Sequence, residues 1–179
     1  MKKGTLTVRI GLDDTDHPDF GCTTYSFDGL MSSLSEMRGL KIIERRLVRL
    51  WPYASRRTRG NGALSAVIEI PSNSKENLLV NCKSWFDGLL SEIADYPVAE
   101  NKPSPALLVS FDVTPSDWYW EAVRGEVNLD KRVKQVIDSD IFMLSHEDKW
   151  GVIGASAAIS WVPKGNHSWE LLGGEKMKK

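Results

Sequence analysis

Leu6, Val8, Ile10 and Leu12 alternate with Thr5, Thr7, Arg9 and Gly11, and the half-buried strand this alternation predicts runs straight into Gly11-Leu12-Asp13-Asp14-Thr15-Asp16. A chain that begins this way places three carboxylates at the exit of an apolar strand. Like charges so close repel, and a chain that concentrates them usually has a cation or another compensating partner there. Gly21-Cys22-Thr23-Thr24-Tyr25 follows within ten residues and opens an amphipathic helix. Its Phe27, Leu30, Met31, Leu34 and Met37 fall at helical spacing, with Thr23 or Thr24 near the cap and Gly39 closing it. A strand end facing a helix N-terminus suits anionic groups, because backbone N–H donors and the helix dipole point at them. Divalent metal plus phosphate is the reading these residues favour; a solvated acidic turn is the plain alternative.

The elements that follow set the fold class. Lys41 to Trp51 carries Ile42, Ile43, Leu47, Val48 and Leu50 among Arg45, Arg46 and Arg49, and predicts a second strand. Pro52 to Gly62 is a loop dense in arginine and glycine, and Leu64, Ala66, Ile68 and Ile70 then mark a third strand by alternation. Asn73-Ser74-Lys75-Glu76 has the form of a capping box, Asn73 as cap and Glu76 reaching back, ahead of a helix with the apolar stripe Leu78, Cys82, Trp85, Phe86, Leu89 and Ile93. After a loop from Pro97 to Pro105, Ala106 to Phe111 is a short buried strand. Strand, helix, strand, strand, helix, strand is the ferredoxin-like split order, an α+β fold with an antiparallel sheet and helices on one face.

Downstream, Thr114-Pro115 is expected to cap an aromatic-rich helix through Val123. Leu129, Val133, Val136 and Ile137 predict another helix, and a strand follows near Asp140 to Leu144. Gly151 to Ala158 reads as a glycine-led helix with small residues for close packing, and Ser168 to Leu172 as a final strand. Residues 1–112 are thus expected to form a ferredoxin-like core and 113–179 a C-terminal α/β extension packed on it, or the two to make one compact domain.

Charge and cysteine content narrow the partners. The formal net charge of −1 gives no global basic field for nucleic acid or membrane, so any such surface is local. Cys22 and Cys82 make no disulfide framework, and with three histidines and no Cys-x-x-Cys pair a structural zinc ribbon is not encoded. The N-terminus lacks a signal-peptide apolar region and the longest weakly polar run, Gly151 to Val162, is too short for a bilayer, so a cytoplasmic protein without membrane contact is expected.

The second informative stretch is Arg56-Arg57-Thr58-Arg59-Gly60-Asn61-Gly62-Ala63. Gly60 and Gly62 let backbone amides approach a ligand closely, and the arginines supply bidentate donors matched to phosphate. Asn61-Gly62 alone would also suit a hairpin turn, but such a turn needs no three flanking arginines. An acidic metal corner with an arginine-glycine anion cradle is the parts list for phosphoryl transfer. A Walker Gly-x-x-x-x-Gly-Lys-Ser/Thr motif and the protein-kinase signatures are both absent, so if this is a kinase it is of another kind.

Ile10 to Asp16, Gly21 to Tyr25, Arg46-Leu47-Val48-Arg49-Leu50 and Thr58 to Ala63 closely resemble, in that order, the archaeal tRNA-isoleucine agmatidine synthetase (TiaS) family. Gly151 to Ala158 and His167-Ser168-Trp169-Glu170-Leu171 look like that family's glycine-alanine segment and later His/Glu strand. The resemblance implies a kinase-like region that uses ATP and Mg²⁺ to activate the C2 oxygen of a tRNA wobble cytidine as a phosphate ester, which agmatine then displaces. It implies autophosphorylation of a threonine, whose place Thr23 holds. It further implies that Asp13, Asp14 and Asp16 hold Mg²⁺ and orient the γ-phosphate, and that Arg59 stabilises the developing charge. Thr24, Arg57, Thr58, Gly60, Asn61 and Gly62 would bind phosphate, and Lys149 and Gly151 would close the site. Arg57 stands where the family often has lysine.

The family's larger members continue into an OB-fold module and a zinc ribbon that help grip tRNA, whereas this chain ends at Lys179 after Gly173-Gly174-Glu175. A kinase-like part of a longer protein and a short stand-alone homologue are both compatible with that. Two further readings stand beside the enzyme: a nucleotide- or RNA-binding module working with a separate partner chain, and a small-molecule kinase of the same fold. Of the remaining candidates, Cys22 reads as a small buried residue, His167 and Glu170 as a structural pair, and His17 and His146 as bystanders in polar loops. Trp118, Tyr119 and Trp120 read as core anchors, and Arg45, Arg46 and Arg49 as strand-surface charges.

Overall fold

The alternation at the N-terminus sets the centre of the molecule: β1 (Thr5–Asp13) buries Val8, Ile10 and Leu12 on one face and turns Arg9, Gly11 and Asp13 to the other. The computed structural model describes residues 4–19, 21–57, 60–99, 102–161 and 169–171. β1 pairs antiparallel with β3 (Gly62–Pro71) on one side and with β4 (Ala106–Ser110) on the other, so that Gly11 faces both Ser65 and Leu108. β2 (Lys41–Arg49) pairs with β3, giving the central order β4-β1-β3-β2 with every neighbour antiparallel. The fold is α+β, as the element order requires. Two short strands widen the sheet, β5 (Phe142–Ser145) on the β4 edge and β6 (Trp169–Leu171) on the β2 edge.

Helices cover both faces rather than one. α1 (Thr23–Ser35) and α2 (Lys75–Ala94) bury Phe27, Leu30, Leu34, Leu78, Cys82 and Phe86 against Val8, Ile10 and Leu12. On the other face lie α3 (Asp117–Arg124), α4 (Leu129–Ile137) and α5 (Gly151–Ile159), where Val152, Ala155 and Ile159 pack on Ala106 and Leu108. The second layer was not legible in the split order, because an all-buried strand such as Ala106 to Ser110 shows no alternation to say that both its faces are covered. α5 lies directly on β1, since a Cβ built on Gly11 would stand 2.5 Å from the Ala155 carbonyl oxygen.

Helix starts depart from the sequence reading at α2 and α3, and at α1 the difference is the exposure of Cys22. α2 begins after a 3₁₀ turn, Ser72–Ser74, with Ser74 as cap and no side-chain hydrogen bond, so the Asn73–Glu76 box does not form. Cys22 is the α1 cap and is exposed rather than buried, leaving Thr23 as the first helical residue. α3 is capped by Ser116; Thr114 instead donates its hydroxyl to the Ile159 carbonyl at 3.0 Å, tying the loop to α5. Trp118 and Tyr119 are core, as expected, and Trp120 is half-buried with its ring edge-on to Tyr119.

Arg132 holds the second layer together. Its guanidinium is fully buried and donates to Ser156 Oγ at 2.8 Å, the Trp118 carbonyl at 3.4 Å and Glu121 Oε2 at 2.6 Å, joining α3, α4 and α5 through one side chain. Arg132→Ala leaves a buried hydroxyl and carbonyl short of a donor and opens a void beside Trp118. Since Glu121 is 40% exposed and can hydrate, the expected cost is about 2–3 kcal/mol rather than that of a fully buried pair. The check is a lowered urea midpoint at unchanged slope. Among the described residues no helix is long and apolar enough to cross a membrane.

Candidate functional site

The exit of β1 splits its three carboxylates between two places. Asp13, half-buried, lies against α5: a Cβ built on Gly154 would stand 2.0 Å from Asp13 Oδ2. Glycine at that position is therefore what makes room for the carboxylate. Asp14 follows with φ 58, the left-handed conformation that Asp tolerates better than most residues, and its carbonyl accepts from the Ser104 N–H at 3.1 Å. Its carboxylate accepts from Arg56 Nη2 at 3.0 Å. Asp16 turns elsewhere, accepting from Thr23 Oγ1 at 3.0 Å in a buried group with Thr15, whose hydroxyl lies 3.1 Å from Ser26 Oγ.

These placements set the acidity. Confinement between strand and helix, then repulsion from Asp14 and Asp16, hold Asp13 well above the ordinary carboxylate range, and Arg56 offsets only part of this. Confinement also raises Asp14, although the Arg56 guanidinium pulls the other way.

Asp13 and Asp14 open onto a cavity of about 490 Å³. Arg56, Arg57, Asn61 and Gly62 share its wall, together with residues 125–130, Trp150 and Gly154; Leu50, Trp51, Ala122 and Ile153 supply apolar surface. The arginine loop is pinned at its base. The Leu50 N–H donates to the Asn61 carbonyl at 2.8 Å, Asn61 Nδ2 to the Trp51 carbonyl, and Arg49 Nη1 to the Gly60 carbonyl at 3.2 Å. Asn61 takes φ 40, and in the described part of the loop the left-handed residue is this asparagine rather than Gly60 or Gly62. Across the cavity, Ser55 donates from its N–H, at 2.8 Å, and from its hydroxyl to Glu126 Oε1.

The carboxylates and the arginine loop thus meet, through Arg56 more than through the residues singled out from sequence. Arg57 is exposed and donates back to the Ala54 carbonyl at 2.7 Å. Thr58, Arg59 and His167 lie outside the described residues. Thr23, Thr24, Asp16, Lys149 and Gly151 do not line the cavity. Gly151 lies beneath it: a Cβ there would stand 2.7 Å from the Asp13 carbonyl oxygen and 2.6 Å from the Ala106 nitrogen, and Lys149 takes φ 60 in the turn that leads in. Among the described residues no three His, Cys, Asp or Glu side chains are grouped to hold a metal ion, so Asp13, Asp14 and Asp16 are not a three-ligand cage.

His17 lies in the loop after β1, buried with its ring edge toward Tyr96, while His146 stays in a half-exposed loop. Arg45 pairs with Asp28 at 2.6 Å, and Arg46 is buried between Glu44 and the Trp161 ring, 3.7 Å from its centroid, so both are structural. In the sequence Arg56 reads only as one arginine of the loop, and Trp150, Gly154 and residues 125–130 do not read as site residues at all. Gly154 stands one helical turn from Gly151 and could have been suspected on that spacing.

Residues 9–147 match the protein-family model of the TiaS TCKD domain. The chain is 30% identical over 186 residues to the isoleucine-tRNA 2-agmatinylcytidine synthetase TiaS of Thermoplasma volcanium, covering 91% of this chain and 40% of that protein. The crystal structure of TiaS in complex with its isoleucine tRNA and ATP superposes at TM-score 0.71 and 26% identity, over 89% of this chain and 37% of that one. A complex of TiaS with the same tRNA, AMPCPP and agmatine superposes at TM-score 0.66 and 25% identity over the same shares, 89% and 37%. The chain spans about 40% of the length of the curated relatives it matches.

Proposed function

The chain belongs to the TiaS TCKD domain family, and on that premise we propose that it binds ATP with Mg²⁺ in the cavity at the end of β1 and carries out the phosphoryl-transfer step of tRNA agmatidine synthesis. The observation that carries this reading is the meeting of Asp13 and Asp14 with Arg56 and Arg57 in one cavity of about 490 Å³. The relatives' complexes with isoleucine tRNA, ATP, AMPCPP and agmatine support it, and the proposed substrates are ATP, an isoleucine tRNA and agmatine.

The donor set fits Mg²⁺. This ion is usually held by one or two carboxylates with phosphate oxygens and water rather than by an all-protein cage. Two crowded carboxylates on one cavity wall meet that requirement without Asp16. When bound, the ion neutralises charge on the phosphate oxygens. Arg56 and Arg57 offer planar bidentate donors to the same oxygens, and Leu50, Trp51 and Ile153 give apolar surface for the nucleoside.

Autophosphorylation at Thr23 is part of the proposal. In that step Thr23 Oγ1 attacks the γ-phosphorus, the bond to the β-γ bridging oxygen breaks, ADP leaves, and Asp16, already the acceptor of that hydroxyl, takes its proton. Because the hydroxyl is buried and off the cavity, labelling requires the start of α1 to open.

The test is incubation with γ-labelled ATP and Mg²⁺, with and without an isoleucine-tRNA transcript and agmatine. The expected result is ATP consumption and label on Thr23, both lost in Asp13→Ala. Nucleotide binding without turnover in every combination would instead assign the chain as a binding module, and a wild-type protein that does not bind ATP would end the proposal.

A further inference from the structure

Arg56 is placed where an acidic corner needs a cation. Its Nη2 lies 3.0 Å from Asp14 Oδ2, it also donates to the Lys102 carbonyl, and its guanidinium carbon stands 5.3 Å from the Trp150 ring centroid. The side chain is only 20% exposed. Its Nε, buried, has no hydrogen-bond partner among the described residues, so the guanidinium has a donor to give to another acceptor.

The two ends of this ion pair differ in freedom. Asp14 sits on backbone fixed at φ 58 and tied through its carbonyl to the Ser104 N–H. Arg56 is a long side chain on a loop, with rotatable bonds that let its head travel. When the pair separates, the arginine is the partner that moves.

We infer that Arg56 and the divalent cation compete for Asp14, and that Arg56 hands the carboxylate to the metal and turns to a phosphate oxygen as the metal–nucleotide complex enters. This rests on the reading of the cavity as an Mg²⁺–ATP site and adds an order of events to it. Metal alone must displace a held guanidinium with nothing to receive it, and binds weakly. Metal with a phosphate gives the guanidinium a new acceptor, and the exchange becomes favourable. Metal and nucleotide therefore reinforce each other, and the coupling belongs to Arg56.

Mn²⁺ titrated into the protein without nucleotide, with free Mn²⁺ followed by electron paramagnetic resonance, tests this. Arg56→Gln removes the competing charge beside the carboxylates, and Mn²⁺ is expected to bind about tenfold more tightly than to wild type, while Mg²⁺–ATP binds about tenfold more weakly. Arg56→Lys keeps the charge and keeps Mn²⁺ binding weak. Unchanged or weakened Mn²⁺ binding by Arg56→Gln, with wild type still binding Mg²⁺–ATP, overturns the exchange and leaves the cavity reading intact. Wild type that binds no Mg²⁺–ATP overturns both.

The arginine side-chain ¹⁵N spectrum of the wild-type protein gives a readout that needs no stable charge-removed variant. The Arg56 signal, identified by its loss in Arg56→Lys, is expected to shift on adding Mg²⁺–ATP. A signal that stays in place overturns the inference.

Discussion

Asp13→Asn is expected to abolish phosphoryl transfer and, at neutral pH, to raise the thermal midpoint. Both effects come from one carboxylate. It ends the central strand, lies against α5 and is repelled by Asp14 and Asp16, so its ionised form is disfavoured in the folded protein. Asn keeps the shape and removes the charge a cation would use, and a fall in rate on the order of 100-fold or more follows from weakening the hold on the ion that would neutralise charge on the phosphate oxygens. The sign of the stability effect follows from linkage. The folded-state pKa lies above the unfolded value of 3.8, so the folded protein holds the proton more tightly. The stability this contributes is present below the unfolded value and is lost as pH rises through the folded one. Wild type should therefore lose stability on the way from acid to neutral pH, and Asp13→Asn should flatten that decline, leaving the smaller share due to Asp14, which is also raised. Thermal midpoints across roughly pH 4 to 8 check it; a variant less stable than wild type at neutral pH refutes it.

Gly154→Ala should damage both the site and the fold. The new methyl would stand 2.0 Å from Asp13 Oδ2, 2.5 Å from Asp13 Cγ and 2.8 Å from Leu50 Cδ1. α5 cannot retreat easily, because Gly151 and Gly11 hold it against β1 and β4 at similarly close range. Overpacking of this kind costs about 1–3 kcal/mol. A carboxylate displaced by an ångström can lower turnover by about 100-fold. Gly88→Ala is the contrast: it lies in mid-α2 with nothing within 4 Å of the added methyl, and should stabilise by about 0.5–1 kcal/mol. Adding Asp13→Ala to Gly154→Ala should restore much of the lost stability without restoring nucleotide binding. If the two costs simply add, the contact is not the cause.

What could be read from the sequence follows the strength of the local signal. Leu6 to Leu12 alternates cleanly, Leu78 to Ile93 keeps a helical stripe, and the order of six elements limits the sheet to few topologies, so the central strands and their helices were legible. β5 and β6 pair at the edges through register that no short segment states for itself. The same holds at the site. Asp13 and Asp14 announced themselves by crowding, but nothing in Arg56-Arg57-Thr58-Arg59 tells which arginine reaches back to Asp14, since that depends on Lys102 and Trp150 meeting the loop from far along the chain. Gly125 to Asp130 carries no motif at all; it belongs to the cavity because α3 and α4 pack where they do. The capping box failed for a local reason, since a 3₁₀ turn at Ser72–Ser74 moved the helix start beyond Asn73.

The left-handed backbone at Asp14 constrains how this corner can drift and how it can be studied. Asparagine and glycine are the natural substitutes there, because few other side chains accept φ 58 without strain. Replacement by alanine alters chain direction and electrostatics together, and a loss of activity in that variant would not reveal which was responsible. Asparagine changes the charge alone, so an isosteric swap is the informative probe of this position, and natural variation at residue 14 should stay within that narrow alphabet.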